Sequence, residues 1–306
     1  MTITAQHPML EQDDVVEPPS IGVVVLTQGT RPDDLAAGLA AVRGQRDVVA
    51  DVVVVGNGWQ PTDLPGGVRG IALGENLGIP AGRNAGAPEV TGDLLFFLDD
   101  DARPAASDYL ARAAALFAAD PRLGVIHPRV DATTGVAPRR WIPRLRKGDR
   151  FRSSAAFVLW EGGSVIRRSA FDAVGGWPEL YRYQHEGIEF AWRIWDAGYT
   201  VWYAGDLAVL HPPIDPRRHT TFDRYNARHR VWIARRNLRW PLAGLYVATW
   251  TLVQVLRSVR TAEGRATLKP WFAGWREGWR VDPGGRQPLR WSTLWLMTRH
   301  GRPPVV

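Results

Sequence analysis

The chain has 306 residues, 45% of them hydrophobic and 23% charged, which is enough to bury a real core in one large domain or in a domain with an appendage. It contains no cysteine, which excludes disulfides, zinc–thiolate sites and thiol catalysis and fits a reducing compartment. The formal net charge of +7 is unevenly spread: from Arg217 onward there are 18 Lys/Arg against 4 Asp/Glu, and the remainder carries 20 against 27, so a boundary is expected near residue 216.

The stretch from Met1 to Pro19 is polar and acidic, with no apolar run behind basic residues. It reads as a disordered lead-in (residues 1–19) rather than a signal peptide, so the chain is expected on the cytoplasmic side. Ile21 to Thr27 is a nearly continuous apolar run, the pattern of a strand buried on both faces. Pro32 then opens a helix with Leu35, Leu39 and Val42 on one face. Strands are predicted over Asp51–Val55, ending at Gly56-Asn57-Gly58, and over Val68–Leu73. A helix begins at Pro80, and a strand over Asp93–Leu98 closes on three aspartates. Ser107 is the predicted cap of a helix reaching Ala119, and Gly124–His127 is the next strand. The middle section holds Gly162-Gly163, Gly175-Gly176, a helix over Glu186–Asp196 and a strand over Tyr199–Ala204. Such alternation predicts an α/β fold: a mostly parallel sheet with helices on both faces, binding ligands at the carboxyl ends of its strands.

Asp99-Asp100-Asp101 stands at one of those ends, and strand-end carboxylates are hard oxygen ligands suited to Mg²⁺ or Mn²⁺. Residues two apart share a face in extended chain, so Asp99 and Asp101 are expected to converge on one nucleotide. Gly74, Gly78, Gly82 and Gly86 recur every fourth residue, as on a closely packed helix face; Asn76 and Asn84 fall outside that explanation. Glu186 and Glu189 begin a helix near His185 and Gly162-Gly163, the makings of a sugar pocket, and His211 ends a later strand.

In this order the features resemble family 2 glycosyltransferases of the GT-A fold, in particular a rhamnosyltransferase-like bacterial branch. The resemblance covers residues 20–215. It rests on Val23 to Thr27 followed by Thr30-Arg31-Pro32, Val52 to Gly58, Asn76-Leu77-Gly78, Arg83-Asn84-Ala85-Gly86, and Phe96 to Asp101. Gly163 to Arg168, Val174 to Trp177 and the acidic helix start with Trp192-Arg193 continue it. It implies inverting transfer of a sugar from a nucleotide diphosphate sugar to an acceptor hydroxyl, in cell-envelope or exopolysaccharide glycan synthesis. The implied nucleotide-sugar-binding residues are Thr27, Thr30, Arg31, Asn57, Asn76, Arg83, Asn84, Asp99, Gly162 and Gly163. The implied metal ligands are Asp99, Asp101 and His211, and the implied base is Glu186, with Glu189 in reserve. Two positions depart from the family: Gly56 stands where an Asp usually contacts the base or ribose, and Glu186-Gly187 replaces a Glu-Asp pair whose Asp is the usual base.

Residues 216–306 read as a helical, basic, Trp-rich extension. Pro241 to Leu256 carries no charge in 16 positions, too short for a span of about 20 residues and flanked by arginine on both sides. An interfacial or shallow re-entrant helix fits better. Trp271, Trp275 and Trp279 fall four apart, beside Lys269, Arg276 and Arg280, as expected of an anionic headgroup layer at the inner face of the plasma membrane. The expected partners are thus a nucleotide-sugar donor, a glycan or lipid-linked glycan acceptor and an anionic membrane surface, but no nucleic acid. Two rival readings are a sugar-1-phosphate nucleotidyltransferase, for which Gly29-Thr30-Arg31-Pro32 speaks, and a non-catalytic membrane adaptor with a sugar-binding fold, for which Gly187 speaks.

Overall fold

The computed structural model describes residues 19–134, 136–145, 148–213 and 220–305. The expected lead-in, apart from Pro19, and the compositional boundary at residue 216 lie outside them. In chain order the α/β part runs β1 (Ser20–Thr27), α1 (Pro32–Arg43), β2 (Val49–Asn57), β3 (Val68–Leu73), α2 (Ile79–Gly86), β4 (Leu94–Asp99) and β5 (Arg103–Pro104). It continues with α3 (Tyr109–Ala119), β6 (Leu123–Ala132), β7 (Ser154–Ala155), β8 (Gly163–Arg167), α4 (Arg168–Ala173), α5 (Glu186–Asp196) and β9 (Thr200–His211). Four helices follow: α6 (Phe222–Asn237), α7 (Leu242–Ser258), α8 (Ala262–Arg280) and α9 (Trp291–Arg299).

The strands form one sheet in the order β3-β2-β1-β4-β8-β6-β9-β5, with β7 also on β9. The long pairs β1–β2, β1–β4, β2–β3 and β6–β9 are parallel, while β8 runs antiparallel between β4 and β6. Alternation along the buried strands sorts their side chains to two faces. Val23, Val25, Val52, Val54, Phe96 and Leu98 pack with Leu35, Leu39 and Val42 of α1 and Leu110 and Phe117 of α3. Val24, Leu26, Val53, Val55, Leu95 and Phe97 meet α5 through Phe190, Trp192 and Ile194 on the other face. Each fully buried large apolar side chain is worth about 1.5–3 kcal/mol over its exposed state.

The second core does not stop at α5. Val231 to Ala234 of α6, Tyr246 and Val247 of α7, and Leu294 and Met297 of α9 belong to the same buried cluster. Trp271 is 1% exposed, and Trp275 and Trp279 pack against this core. The tryptophans expected in a headgroup layer therefore face inward, because the hydrophobic side of α8 is needed to cover α6. Close approach makes this possible: a Cβ on Gly278 would lie 2.7 Å from Val231, and one on Gly274 would overlap the Arg224 carbonyl.

Two further expectations change. Ser107 does not cap α3, which starts at Tyr109 behind Asp108 without a side-chain cap; the Ser107 hydroxyl and carbonyl instead accept hydrogen bonds from Arg46. Of the four spaced glycines, Gly74 and Gly78 precede α2, and only Gly82 and Gly86 lie within it. A Cβ on Gly82 would stand 2.5 Å from Leu26, and one on Gly86 2.7 Å from Val55, so these two let the helix backbone rest on β1 and β2.

Candidate active site

A cleft of about 860 Å³ opens at the carboxyl ends of β1, β2 and β4. Strand register explains what gathers there. Leu26 is paired with Asp99 across β1–β4, so Thr27 lies next to Asp100, and the Thr27 hydroxyl donates to Asp100 Oδ2 at 2.7 Å. Arg31, just before α1, reaches the same carboxylate at 2.5 Å and Asp101 at 3.0 Å. Burial pushes the Asp100 carboxyl up, against the pull of the Thr27 hydroxyl and the Arg31 charge. Leu98 pairs with Gly163 across β4–β8, which sets the Asp99 N–H on the Gly162 carbonyl at 3.1 Å. Arg103 pairs with Leu210 across β5–β9, which brings His211 Nε2 to 3.3 Å from Asp101 Oδ1.

Asp99 turns away from that pair. Its Oδ1 accepts from Arg83 Nη2 at 2.6 Å, so the expected trio of Asp99, Asp101 and His211 is not assembled, and no group of three acidic or imidazole ligands converges among the described residues. Asp101 and His211 alone fit a divalent ion: a carboxylate oxygen faces an imidazole nitrogen, and His211 Nδ1 is buried with no hydrogen-bond partner among the described residues. Such a site leaves most of the coordination sphere to a diphosphate, as is usual for Mg²⁺.

Arg83 is 1% exposed on the cleft wall, with its guanidinium 5.2 Å from the centre of the Trp177 ring. Its Nε and Nη1 have no partner among the described residues. Asp99 takes only Nη2, and two further buried donors are costly to leave without acceptors, so the cleft favours an anion with oxygens to offer them. Thr30 also lines the cleft. Asn57 and Asn76 line it too, yet their amides are bonded to one another at 3.1 Å and hold the 76–78 turn: Asn57 bonds the Leu77 N–H and the Gly78 carbonyl, and Asn76 bonds Gln28.

Four expected site residues lie elsewhere. Asn84 clips the loop after α4, donating to the Trp177 carbonyl at 2.9 Å and accepting from its N–H at 2.8 Å. Gly163 is buried in β8, where its carbonyl accepts from the Tyr109 hydroxyl at 2.9 Å. Gly162 packs under Asp99: a Cβ there would lie 2.8 Å from the Asp99 carboxyl carbon. Glu189, the reserve base, is fully buried and bound by Arg236, Arg193, Asn237 and Tyr181, outside the cleft.

Glu186 does line the cleft, 3% exposed, with one carboxylate oxygen buried and without a hydrogen-bond partner among the described residues. A second carboxylate, Glu161, stands beside it on the segment leading into β8. Burial pushes both groups up, and the Glu186 charge pushes Glu161 further. No motif points to Glu161; its place just before Gly162-Gly163, next to the Gly162 that faces Asp99, is the one signal in the sequence. The approach to α5 is strained, since Arg182, Gln184 and His185 all have positive φ (52°, 68° and 70°). Such residues cost about 1–3 kcal/mol each and cluster where function needs a fixed geometry. They are held from both sides: the Arg182 carbonyl accepts from the Ile79 N–H at 2.7 Å, and His229 Nδ1 meets the Gln184 carbonyl at 3.0 Å. Helix α6 also supplies Phe222, Tyr225 and Asn226 to the cleft wall.

Residues 55–175 match the family described as glycosyl transferase family 2. Among curated members, an N-acetylglucosaminyl-diphospho-decaprenol L-rhamnosyltransferase of Mycobacterium tuberculosis is 31% identical over 206 residues, which cover 55% of this chain and 65% of that protein. The chain thus spans just under two thirds of that relative's length. Among solved structures, a mannosyltransferase from Pyrobaculum calidifontis in complex with GDP-Man and Mn²⁺ superposes with a TM-score of 0.54 at 16% identity, covering 95% of this chain and 78% of that one. Residues 1–349 of S. aureus TarS with UDP-GlcNAc superpose with a TM-score of 0.56 at 13% identity, covering 85% and 80%. At these identities the likeness is one of fold, and the chain shares their GT-A fold.

Proposed function

We propose that this chain is a family 2 glycosyltransferase, an inverting enzyme that moves a sugar, L-rhamnose by analogy with its mycobacterial relative, from a nucleoside diphosphate to a hydroxyl of a lipid-linked glycan. The observation that carries the reading is Arg83, a buried guanidinium with unused donors on the wall of a cleft whose size suits a small ligand. Arg83, with Thr27 and Thr30 nearby, is the proposed seat of the diphosphate. Asp101 and His211 would hold Mg²⁺ or Mn²⁺, which when bound supplies positive charge against the leaving diphosphate. The acceptor oxygen attacks the anomeric carbon from the face opposite the diphosphate, and its proton passes to the Glu161–Glu186 pair. Inversion follows from that geometry.

Among the described residues no helix is long and apolar enough to cross a membrane. The proposed membrane contact is therefore peripheral, at the inner face, through the apolar residues α7 and α9 leave open: Leu245, Leu252, Leu256, Trp291 and Trp295 are each more than half exposed. Arg239 and Arg299 lie over Trp291 and Trp295, placing charge at the edge of that surface, as headgroup contact requires.

Melting curves of the full chain with thymidine-, uridine- and guanosine-diphosphate sugars, each with and without Mn²⁺ or Mg²⁺, test the catalytic reading. A ligand at 100 times its Kd stabilises by about 2.7 kcal/mol, and one donor class should give that shift only with metal. No shift with any donor and either metal would overturn it.

A further inference from the structure

Gly187 looks like a missing acid, since the family resemblance leads one to expect a carboxylate there. The space is not empty. The Glu161 carboxylate fills it: a Cβ on residue 187 would lie 2.6 Å from the Leu159 carbonyl and closer still to Glu161 Oε1. The bare Gly187 N–H donates to that oxygen at 2.8 Å, fixing Glu161 on the first turn of α5. That bond favours the ionised form against burial and the Glu186 charge, which push the Glu161 carboxyl up to about 8, and only a residue without a side chain lets Glu161 approach so closely. Glu161 is also the more open of the cleft's two glutamates, because Glu186 is 3% exposed and Glu161 is only partly buried. A base must touch the hydroxyl it deprotonates, so accessibility decides between them.

We propose that Glu161, seated on the backbone of Gly187, is the catalytic base, and that Glu186 beneath it is a positioning residue. The assignment rests on the transferase reading above. In the step, a bond forms between the acceptor oxygen and the anomeric carbon. The bond from that carbon to the diphosphate oxygen breaks, and its electron pair leaves with the diphosphate. The acceptor proton moves to a Glu161 oxygen and then to water.

The full chain with Mn²⁺ and the same panel of nucleoside diphosphate sugars tests this, with water as acceptor and released nucleoside diphosphate as the readout. Glu161→Gln should lower kcat about 10²–10⁴-fold while donor affinity by calorimetry stays within about twofold. Moving the carboxylate back, Glu161→Ala with Gly187→Asp, should raise kcat at least tenfold over Glu161→Ala alone. Independently of turnover, Gly187→Asp alone should lower Tm and the paired variant should recover it, because the two side chains compete for one place. Parent-like kcat in Glu161→Gln, or a folded paired variant no faster than Glu161→Ala, would overturn the assignment. A parent chain that binds none of these donors would overturn the transferase reading instead, while the Tm cycle would still decide whether Glu161 occupies the place of a side chain at 187.

Discussion

Glutamine in place of Glu189 keeps the side chain's shape and removes its charge, so Glu189→Gln probes the buried network between α5 and α6. Glu189 Oε1 accepts from Arg236 Nη2 at 2.8 Å and Arg193 Nε at 2.9 Å; Oε2 accepts from Asn237 Nδ2 at 2.9 Å and from the Tyr181 hydroxyl. A neutral amide leaves Arg236, whose side chain is 11% exposed, without its counter-charge and turns an NH₂ toward donors. Breaking one side of a buried ion pair costs about 3–5 kcal/mol. At about 2 °C per kcal/mol for a chain of this size, Tm should fall by roughly 6–10 °C. Burial alone would raise the Glu189 carboxyl; the Arg236 hydrogen bonds and the charges of Arg193 and Arg236 outweigh it and hold the group below its ordinary value. Its stabilisation is therefore fully present above the unfolded value of about 4.3 and is lost as pH falls through the lower folded value. Urea titrations of parent and variant between pH 7 and pH 3 should show a gap that narrows in acid. A variant with unchanged stability and abolished turnover would refute the reasoning and restore Glu189 to the chemistry.

Asp101→Ala should remove the metal dependence of donor binding, read by calorimetry with and without Mn²⁺, while leaving Tm within a few degrees. Gly86→Ala forces a Cβ against Val24 and Val55 and should destabilise by about 1–3 kcal/mol in urea, with the m-value unchanged. Trp291→Ser with Trp295→Ser should reduce flotation of the full chain with anionic liposomes, whereas neutral liposomes should bind the parent weakly. High salt should weaken attachment without ending it, since apolar burial is not screened; a parent that stays at the bottom with anionic liposomes removes the membrane proposal.

The strands were legible because β-branched runs such as Val52 to Val55 leave few alternatives, and α5 was legible from Glu186 to Asp196 by its amphipathic period. Strand ends were read short: β9 continues to His211 because it pairs with β6 as far as Ala132. Thr27 and Asp101 at strand ends, Arg31 before α1 and Arg83 on α2 reached the cleft because parallel topology gathers the strands' carboxyl ends and the helices that follow them. What was not legible depends on partners distant in sequence. Asp99 answers to Arg83, Asn84 to Trp177, Glu189 to Arg236, and none of these pairings has a local signature. Glu161 was hidden for the same reason: it acts at residue 187, 26 positions away. The inward turn of Trp271 has another cause. A tryptophan stripe at helical spacing says that a helix has a face, not what covers it.

The second core, shared by the sheet and the last four helices, bears on how this protein is divided. Composition breaks near residue 216 and the family match ends at residue 175, yet packing breaks at neither place. A chimera joined at either boundary would cut through one cooperative unit, so exchanging α6–α9 between relatives means exchanging the helix faces they meet as well. Changes on α6 also reach the catalytic cleft directly, through Tyr225, Asn226 and the His229 hold on the Gln184 carbonyl. On the proposed function, the cleft residues of α6 and the membrane-facing residues of α7 and α9 share one packed core, so altering either by directed evolution should draw substitutions that repair the other.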